Sequence, residues 1–590
     1  MKHICFAALV LAVCLPAAAE NAPPNSPPNL LPNSIVAEVA KQYWDLALAD
    51  DIALREELGL PIETLPDLSD AHTNDLAAKA KTMLARLDPI ALDSLPLEER
   101  ISALVLRREL TVWADTPRYS EFFLPVTPYS SPFSTIRRIL GAYRLTTVED
   151  RARYMNLLSE ASRLGRQIEA KLRSSAGRGI VIARDEIDVL LPTLEPLARP
   201  SAESPFQVAA SRLTSPGLNV EMVRSGIAAT IDRDVAPAYA RLIAYIRGEY
   251  RRAAPAGVGL SQYPGGADCY RFLVRYHTGS ALSPEEIHRI GLSEMERINR
   301  ELDEVRKKVG FSGTLPEFRR FLKTDPRFFP KTPEEIGQRL MAAVRKLEPK
   351  IPAYFSRMPK APYGVKRLDP ALEGAMTFGY YQMPTPESPE GDYMYNASRL
   401  SERSLLNAPA LIAHELIPGH HFQLNLQKEN AALPEWRRHL TDVTAYVEGW
   451  GEYSSAIAGE MGLYDDPYDR AGRLAMEAFI CNRLVVDTGM NLLGWTRDRA
   501  MQYMRENTFE TDLQISTETL RYSCDIPGQA LAYKMGARKI FELREKARKG
   551  LGPKFDIRRF HEAVLDDGAL PMDVLETKVD AFISGEKAHP

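Results

Sequence analysis

The chain has 590 residues, of which 45% are hydrophobic and 26% are charged, and its formal net charge at pH 7 is -4. These proportions are those of an ordinary globular protein, and the length allows roughly two to four average domains or one large two-lobed unit. The small negative charge offers no attraction to a phosphate backbone, so we do not expect nucleic acid as a partner.

Residues 1–19 have the pattern of a secretory signal peptide. Lys2 supplies a positive start, Ile4–Leu15 is apolar, and the small residues Ala17–Ala19 form a cleavage site. No later apolar run approaches the roughly 20 residues that a membrane helix needs. We therefore expect cleavage near Ala19 and a periplasmic or secreted protein that has no membrane contact after cleavage.

The cysteines allow one alternative for the leader and few crosslinks afterwards. Cys14 could carry a lipid anchor, but Val13 stands where a lipidation signal normally has Gly, Ala or Ser, so this is the less favoured prediction. After cleavage only Cys269, Cys481 and Cys524 remain. One disulfide is possible, and the sequence does not indicate which pair would form it.

Helical patterns dominate the rest of the chain. Residues 20–33 are a Pro/Asn-rich linker, and apolar residues spaced three and four apart then predict helices over 34–51, 74–87 and 97–113. Ser283–Glu286 and Thr332–Glu335 each combine a capping residue, a first-turn proline and an acidic residue, which predicts two more helix starts.

A Gly/Pro/Ala-rich stretch, 253–270, suggests a division into a helical front half (34–260) and a second half that carries the chemistry (261–590). The best strand signals lie at 375–398, where two aromatic-rich runs flank the loop TPESPEG. We expect a mainly α fold with a small sheet just before the segment Leu411–Leu424, which contains three histidines. Met394–Ser398 is predicted to be an exposed edge strand that could hold an extended substrate, with Asn396 in contact with it.

The segment Leu411–Leu424, LIAHELIPGHHFQL, carries the strongest chemical signal. In a zinc-binding HExxH helix two histidines lie four residues apart, and the Glu beside the first is the general base. His414 and Glu415 fit the first two positions, but Pro418 occupies the place of the second histidine.

Two later histidines could replace the missing ligand. His420 would point about 120° away from His414 on a regular helix. However, Pro418 cannot continue a regular helix, and Gly419 permits unusual backbone angles. We infer a bulge that returns His420 to the metal side. His421 remains the alternative, because it would share the face of His414 if the helix stayed regular.

The segment AYVEGWGEYSS, Ala445–Ser455, supplies the carboxylates. Catalytic zinc usually has three protein ligands, which are often histidines and a carboxylate. We assign Glu448 to the metal, and Glu452, one turn later, to a hydrogen bond that fixes a ligating imidazole. One zinc ion per chain is expected, although such ligands also accept cobalt or manganese. The isolated His277, His288 and His439 are predicted to be structural.

Four segments resemble the bacterial family called domain of unknown function 885. They are HELIPGHHFQ, YVEGWGEY, YHTGSALSPEEIHRIGLSEMERI (276–298) and RYSCDIPGQALAYKMG (521–536). The family is similar to gluzincin-type helical zinc metallopeptidases, which implies a two-lobed helical fold with a deep cleft and a small sheet beside the motif helix. The resemblance favours His420 over His421, because the second ligand of those enzymes follows a glycine. This chain departs from the family's Glu-Gly-Trp-Ala-Leu-Tyr at Gly451 and Glu452, which weakens the role of Glu452.

The same resemblance implies roles for residues late in the chain. The related peptidases use a late tyrosine beside the metal, so Tyr533 is the first candidate to stabilise the oxyanion and Tyr522 is the second. Arg521 and Lys534 lie close to these tyrosines and could bind a substrate carboxylate.

The expected function is hydrolysis of short peptides by a metal-activated water with Glu415 as the general base. An amidase acting on a non-peptide or modified amide, and a non-catalytic exported binding protein, are the alternatives. The sequence leaves oligomeric state open.

Overall fold

The computed structural model describes residues 34–127, 131–143, 145–215, 217–373, 379–385 and 388–588. The predicted signal peptide (1–19) and linker (20–33) lie outside the described residues. Over the described part of the chain the protein is mainly α, as the sequence predicts, with one small sheet.

The first half consists of helices and the segments that connect them. Their bounds are α1 Ile35–Asp50, α2 Ile52–Glu57, α3 Asp70–Leu87, α4 Leu97–Tyr119, α5 Phe133–Ala142, α6 Val148–Gly177, α7 Arg184–Leu194, α8 Val220–Thr230, α9 Ala236–Tyr245 and α10 Arg251–Ala253. The three helices predicted here are present. The third α-helix begins four residues earlier than its apolar pattern, because the Ser69 side chain accepts a hydrogen bond from the His72 amide and caps it.

The second half contains the sheet and the longer central helices. Its elements are α11 Gly266–Thr278, α12 Pro284–Lys308, α13 Leu315–Thr324, α14 Pro333–Leu347, α15 Ile351–Tyr354, β1 Tyr363–Arg367, α16 Pro370–Glu373, β2 Tyr380–Gln382, β3 Gly391–Tyr395, α17 Ala408–Glu415, α18 His420–Glu429, α19 Glu435–Arg438, α20 Thr444–Ile457, α21 Pro467–Asn491, α22 Arg497–Asn507, α23 Asp512–Leu520, α24 Ala532–Leu551, α25 Ile557–Leu565 and α26 Met572–Ala588. The predicted starts of α12 and α14 are correct, and Ser283 and Glu286 form a complete capping box. Thr332 precedes α14 as predicted, but its side chain makes no capping hydrogen bond, so the first-turn Pro333 marks this start without it.

The sheet corrects the prediction of an edge strand over Met394–Ser398. Strand β3 is central: β1 pairs with it in parallel and β2 pairs with it antiparallel. Met394 is opposite both Lys366 and Tyr380, so the backbone of β3 is bonded on both sides. A substrate strand could add only at β1 or β2. Strand β1 was not predicted from the sequence.

The hydrophobic core crosses the expected division at residue 260. The largest cluster joins residues of α1, α3 and α4 to residues of α14, α17, α18, α20 and the C-terminal helices. A second cluster lies almost wholly within residues 52–254. The stretch 253–270 is also packed, since a Cβ on Gly259 would lie 2.1 Å from the Met490 carbonyl oxygen. The first half therefore contributes directly to the core around the histidine motif.

Two further expectations concern crosslinks and membrane segments. Within the described residues no disulfide joins Cys269, Cys481 and Cys524. No described helix combines the length and the apolar character that a bilayer crossing requires.

Candidate metal centre

The histidine motif is divided between two helices. Helix α17 ends at Glu415 and α18 begins at His420, with a cis peptide bond between Ile417 and Pro418. A Cβ on Gly419 would lie 1.8 Å from the His414 carbonyl oxygen, so only glycine fits this turn. The interruption predicted at this point is present. It takes the form of a break between two helices rather than a bulge within one.

This break brings three potential ligands together. The Nε2 atoms of His414 and His420 lie 3.5 Å and 3.4 Å from one Glu448 carboxylate oxygen. The ligand atoms of all three residues lie within 4.8 Å of one another, and their side chains are largely buried. Two imidazole nitrogens and a carboxylate oxygen form the donor set of many catalytic zinc sites.

The imidazoles are held in place by packing. The rings of His414 and His420 meet nearly at right angles, with centroids 4.6 Å apart, and the Tyr533 ring stacks on His414 at 6.1 Å. Helix α20 passes close beside them, since a Cβ on Gly451 would lie 2.7 Å from the His414 Nε2 atom. The Nδ1 atoms of both histidines are buried and have no hydrogen-bond partner among the described residues.

Charge is unevenly distributed over the cluster. Burial opposes ionisation of Glu448, but the hydrogen bonds from His414 and His420 outweigh it and hold the pKa of that carboxyl well below its usual range. Burial disfavours the charged form of His420, but its bond to Glu448 outweighs burial and raises the pKa of the imidazole. Glu448 is therefore an anion at neutral pH, as a metal-binding carboxylate must be.

His421 lies outside the cluster. Its Nε2 atom is 3.1 Å from the Ala361 carbonyl oxygen and its Nδ1 atom is 2.8 Å from the Tyr381 hydroxyl. The carbonyl can only accept, so Nε2 carries the proton and Nδ1 accepts from Tyr381. Burial lowers the pKa of His421 to about 4, which keeps it neutral. Both ring nitrogens of His421 are thus hydrogen-bonded, one to the Ala361 carbonyl and the other to the Tyr381 hydroxyl of β2.

Glu415 lies at the end of α17, next to His414. Among the described residues its carboxylate has no hydrogen-bond donor, and only burial and neighbouring charges act on it. Burial raises the pKa of Glu415, and the nearby imidazoles of His420 and His414 offset this only in part. A carboxylate that is held beside the cluster without a fixed partner can exchange a proton with a bound molecule.

The two candidate tyrosines have different surroundings. The Tyr533 ring lies between His414 and the Arg483 guanidinium, whose central carbon is 4.5 Å from the ring centroid. Burial and the Glu448 charge raise the pKa of the Tyr533 hydroxyl, and the nearby Arg521 and Arg483 offset this only in part. Tyr522, in contrast, is completely buried and its hydroxyl accepts from Arg483 at 2.8 Å. Tyr533 is therefore the tyrosine that lies beside the cluster.

Arg483 was not anticipated from the sequence. It lies on α21 within the apolar stretch FICNRLVV, and a lone arginine in such a stretch indicates a buried charge with a specific partner. That signal could have identified it.

The expected bond from Glu452 to a ligating imidazole is not formed. Both carboxylate oxygens of Glu452 accept instead from Arg473 on α21, and both side chains are buried. Glu452 therefore pairs with a buried arginine and not with an imidazole nitrogen.

Lys534, which was expected to bind a substrate carboxylate, is likewise paired within the fold. Its ammonium lies 2.9 Å from Glu294 and 2.9 Å from Glu477.

The other expected substrate contacts are also engaged within the fold. Arg521 donates to the Gln529 side chain at 2.8 Å and lies 3.5 Å from a Glu518 carboxylate oxygen. The Asn396 side chain donates to the Glu373 carbonyl and accepts from the amide and hydroxyl of Ser398. Asn396 thus organises the turn after β3 and does not face an open strand edge.

The residues present fit a metal ion. The three donors converge, Glu448 is ionised, and each histidine directs its Nε2 atom towards the same point while its Nδ1 atom has no partner among the described residues. The fold and the site together define a mainly α protein with a buried two-histidine, one-glutamate cluster that can hold a metal.

The chain belongs to the family described as "Bacterial protein of unknown function (DUF885)", whose model matches residues 54–579. The crystal structure of a "putative lipoprotein" from Colwellia psychrerythraea is 27% identical, covers 94% of this chain and 100% of its own, and has a TM-score of 0.85. A "putative lipoprotein of unknown function" from Shewanella oneidensis is 16% identical, with 92% and 99% covered and a TM-score of 0.73, so it supports the fold alone. No curated protein matches the chain.

Proposed function

We propose that this protein is an exported, zinc-dependent hydrolase of short peptides. The observation that carries the proposal is the convergence of His414, His420 and Glu448, with Glu415 and Tyr533 beside them. When bound, a zinc ion supplies a Lewis acid that polarises a carbonyl group and acidifies a water molecule.

Glu415 acts as the general base in this proposal. Its carboxylate takes a proton from the attacking water and returns it to the departing amine. The raised pKa that burial gives Glu415 suits this exchange, because a weakly acidic carboxyl can both accept and release a proton near neutral pH.

Tyr533 stabilises the developing negative charge on the carbonyl oxygen. Stacking on His414 fixes its ring, and Arg483 and Arg521 lie against the ring and the hydroxyl. A hydroxyl oriented in advance donates its hydrogen bond to an oxyanion without rearrangement. In this proposal Arg483 and Arg521 position Tyr533, and Tyr533 is the residue that contacts the substrate.

The proposed location rests on the leader and on one relative. We propose export by the signal in residues 1–19, and the printed description of the Colwellia psychrerythraea relative as a putative lipoprotein supports an anchor through Cys14 as the alternative to cleavage near Ala19. Mass spectrometry of the membrane-associated and released protein distinguishes a lipidated Cys14 from a chain that begins at Glu20.

The test compares the wild type with Glu415→Gln on a library of short peptides with free or amidated C-termini. We expect about one zinc ion per chain in both proteins, and a loss of roughly 100-fold or more in the hydrolysis rate for Glu415→Gln. If the zinc-loaded wild type cleaves none of these peptides, the peptidase proposal is wrong. Binding without cleavage would then indicate a binding protein.

A further inference from the structure

Two side chains of α20 converge on one backbone atom of the break between α17 and α18. The Trp450 indole N–H donates to the Pro418 carbonyl at 2.8 Å, and the Ser454 hydroxyl donates to the same carbonyl at 3.0 Å. Trp450 and Ser454 are both completely buried. We call this pair of bonds the Pro418 clamp.

The clamp is not a by-product of ordinary helix geometry. A serine inside a helix commonly turns its hydroxyl to the carbonyl one turn earlier in its own helix. Ser454 donates instead to another segment, as does Trp450 one turn earlier. Two donors saturate the carbonyl oxygen, so the peptide plane that leads into Gly419 and His420 has a fixed orientation.

The clamp lies between two of the three potential ligands. Glu448 is two residues before Trp450 on α20, and His420 is two residues after Pro418. The Nδ1 atom of His420 has no partner among the described residues, so the ring is not oriented by a hydrogen bond on the side that faces away from Glu448. The position of His420 relative to Glu448 therefore depends on the backbone, and the clamp ties that backbone to the helix of Glu448.

We propose that Trp450 and Ser454 are positioning residues that set the metal affinity of this site by holding His420 at its distance from Glu448. The inference rests on the proposed function, since it assumes that the cluster binds a metal. The clamp takes the place of the hydrogen bond to the outer imidazole nitrogen by which metal-binding histidines are usually oriented.

The test measures the zinc dissociation constant of the full mature chain by competition with a chromophoric chelator. Ser454→Ala removes one donor without adding bulk, and Trp450→Phe removes the other. We expect each to weaken zinc binding about 10-fold and the double variant about 100-fold, the range found for residues that orient metal ligands. Circular dichroism and thermal unfolding check that each variant is folded.

Tyr446→Phe is the matched control. It removes a buried hydroxyl from the same helix, and that hydroxyl donates to the Val564 carbonyl at 2.6 Å, away from the break. If loss of a buried hydrogen bond from α20 were enough to weaken zinc binding, Tyr446→Phe would weaken it equally. We expect its dissociation constant to equal that of the wild type.

A double-mutant cycle then separates positioning from general loosening. In a His420→Ala background, which lacks the ligand that the clamp positions, Ser454→Ala should cause no further loss of zinc affinity. Equal losses in both backgrounds, or unchanged affinity in Ser454→Ala and Trp450→Phe, would overturn the inference while leaving the zinc site intact. A wild type that binds no zinc would instead remove the proposed function, and the clamp's role with it.

Discussion

At the residue scale, the adjacent His420 and His421 have opposite environments. The helix start at His420 turns its imidazole towards Glu448, while His421 bonds to Tyr381 and to the Ala361 carbonyl. A Cβ on Gly391 would lie 2.5 Å from the His421 Nδ1 atom, so His421 is tightly enclosed beside β3. Adjacent positions of α18 therefore hold a potential metal ligand, His420, and a structural side chain, His421.

Alanine substitutions should therefore separate the two histidines. His420→Ala should reduce zinc from about one ion per chain to a small fraction, with little change in thermal stability. His421→Ala should retain zinc but lose about 1–3 kcal/mol of stability, because the Tyr381 hydroxyl loses the buried acceptor of its proton. Elemental analysis of the dialysed proteins together with thermal unfolding measures both effects. Loss of zinc in His421→Ala alone would mean that His421 is the ligand.

Asp487 gives a prediction about pH that does not involve the metal. Burial raises its pKa to about 7, although Tyr270, Asn491 and the Gly528 amide all donate to it. An aspartate in an unfolded chain titrates near about 4. Between these values the folded state holds a proton that the unfolded state releases, so this residue's contribution to stability falls as the pH rises from about 4 to about 7.

Asp487→Asn removes this titration and keeps the oxygen to which all three donors are bonded. The melting temperature of the variant relative to the wild type should therefore increase steadily from pH 4 to pH 7.5. The full effect corresponds to roughly 4 kcal/mol at most, at about 1.4 kcal/mol per pH unit. A difference that does not vary with pH would show that Asp487 is ionised throughout.

At the element scale, the site depends on the crossing of α20 and α24. The two helices meet at Gly449 and Gly536, where a Cβ on Gly536 would lie 1.8 Å from the Ala445 carbonyl oxygen. Tyr533 is one turn before Gly536 on α24, and Glu448 is next to Gly449 on α20. The close approach of two glycines thus sets the separation between the tyrosine and the potential ligands.

Gly536→Ala should push α24 away from α20. Overpacking of this kind typically costs about 1–3 kcal/mol, so we expect a lower melting temperature. Displacement of Tyr533 should also reduce peptide hydrolysis more than it reduces zinc content.

Gly226→Ala in α8 is the control, because its new Cβ would meet no atom within 4 Å. It should stabilise the protein by about 0.5–1 kcal/mol through helix propensity. Equal effects of the two substitutions would contradict the close-contact argument.

Local signals explain which elements were predictable. The starts of α12 and α14 were readable because a first-turn proline acts locally in both helices, and in α12 the Ser283 cap acts within one turn as well. Strand β1 was not, because it is short and its partner β3 follows more than twenty residues later. That same distant pairing makes β3 central, which no local pattern around Met394 could indicate.

The same distinction applies to the site. The interruption at Pro418 and Gly419 follows from the conformational limits of those residues, so the sequence indicates it directly. Glu452 was assigned to an imidazole because it lies one helical turn after Glu448. Its actual partner, Arg473, comes from another helix, and only tertiary packing identifies it.

At the scale of the whole molecule, the first helices are part of the core that supports the cluster of His414, His420 and Glu448. Tyr43 of α1 packs edge-on against Trp436, with ring centroids 5.8 Å apart. Glu98 of α4 pairs with Lys578 at 3.1 Å and lies 3.7 Å from the buried Arg437. The front half therefore buries apolar and charged groups of the second half.

A chain consisting of residues 261–588 should consequently fail to fold by itself. Without α1, α3 and α4 it would expose the contiguous apolar surface that they cover and would leave Arg437 without its partners on α4. We expect aggregation or a loss of cooperative thermal unfolding, and no zinc binding. The chain that begins at residue 20 is the control.

Co-expression of residues 34–260 with residues 261–588 tests the same argument in the opposite direction. If the first helices act by completing the core, the two fragments should associate, and the complex should recover a cooperative transition and about one zinc ion per complex. Because the contacts are apolar and extensive, the association should withstand high salt, which weakens exposed ion pairs much more than buried apolar contacts. A fragment 261–588 that melts cooperatively and binds zinc unaided would show instead that the second half is an independent domain.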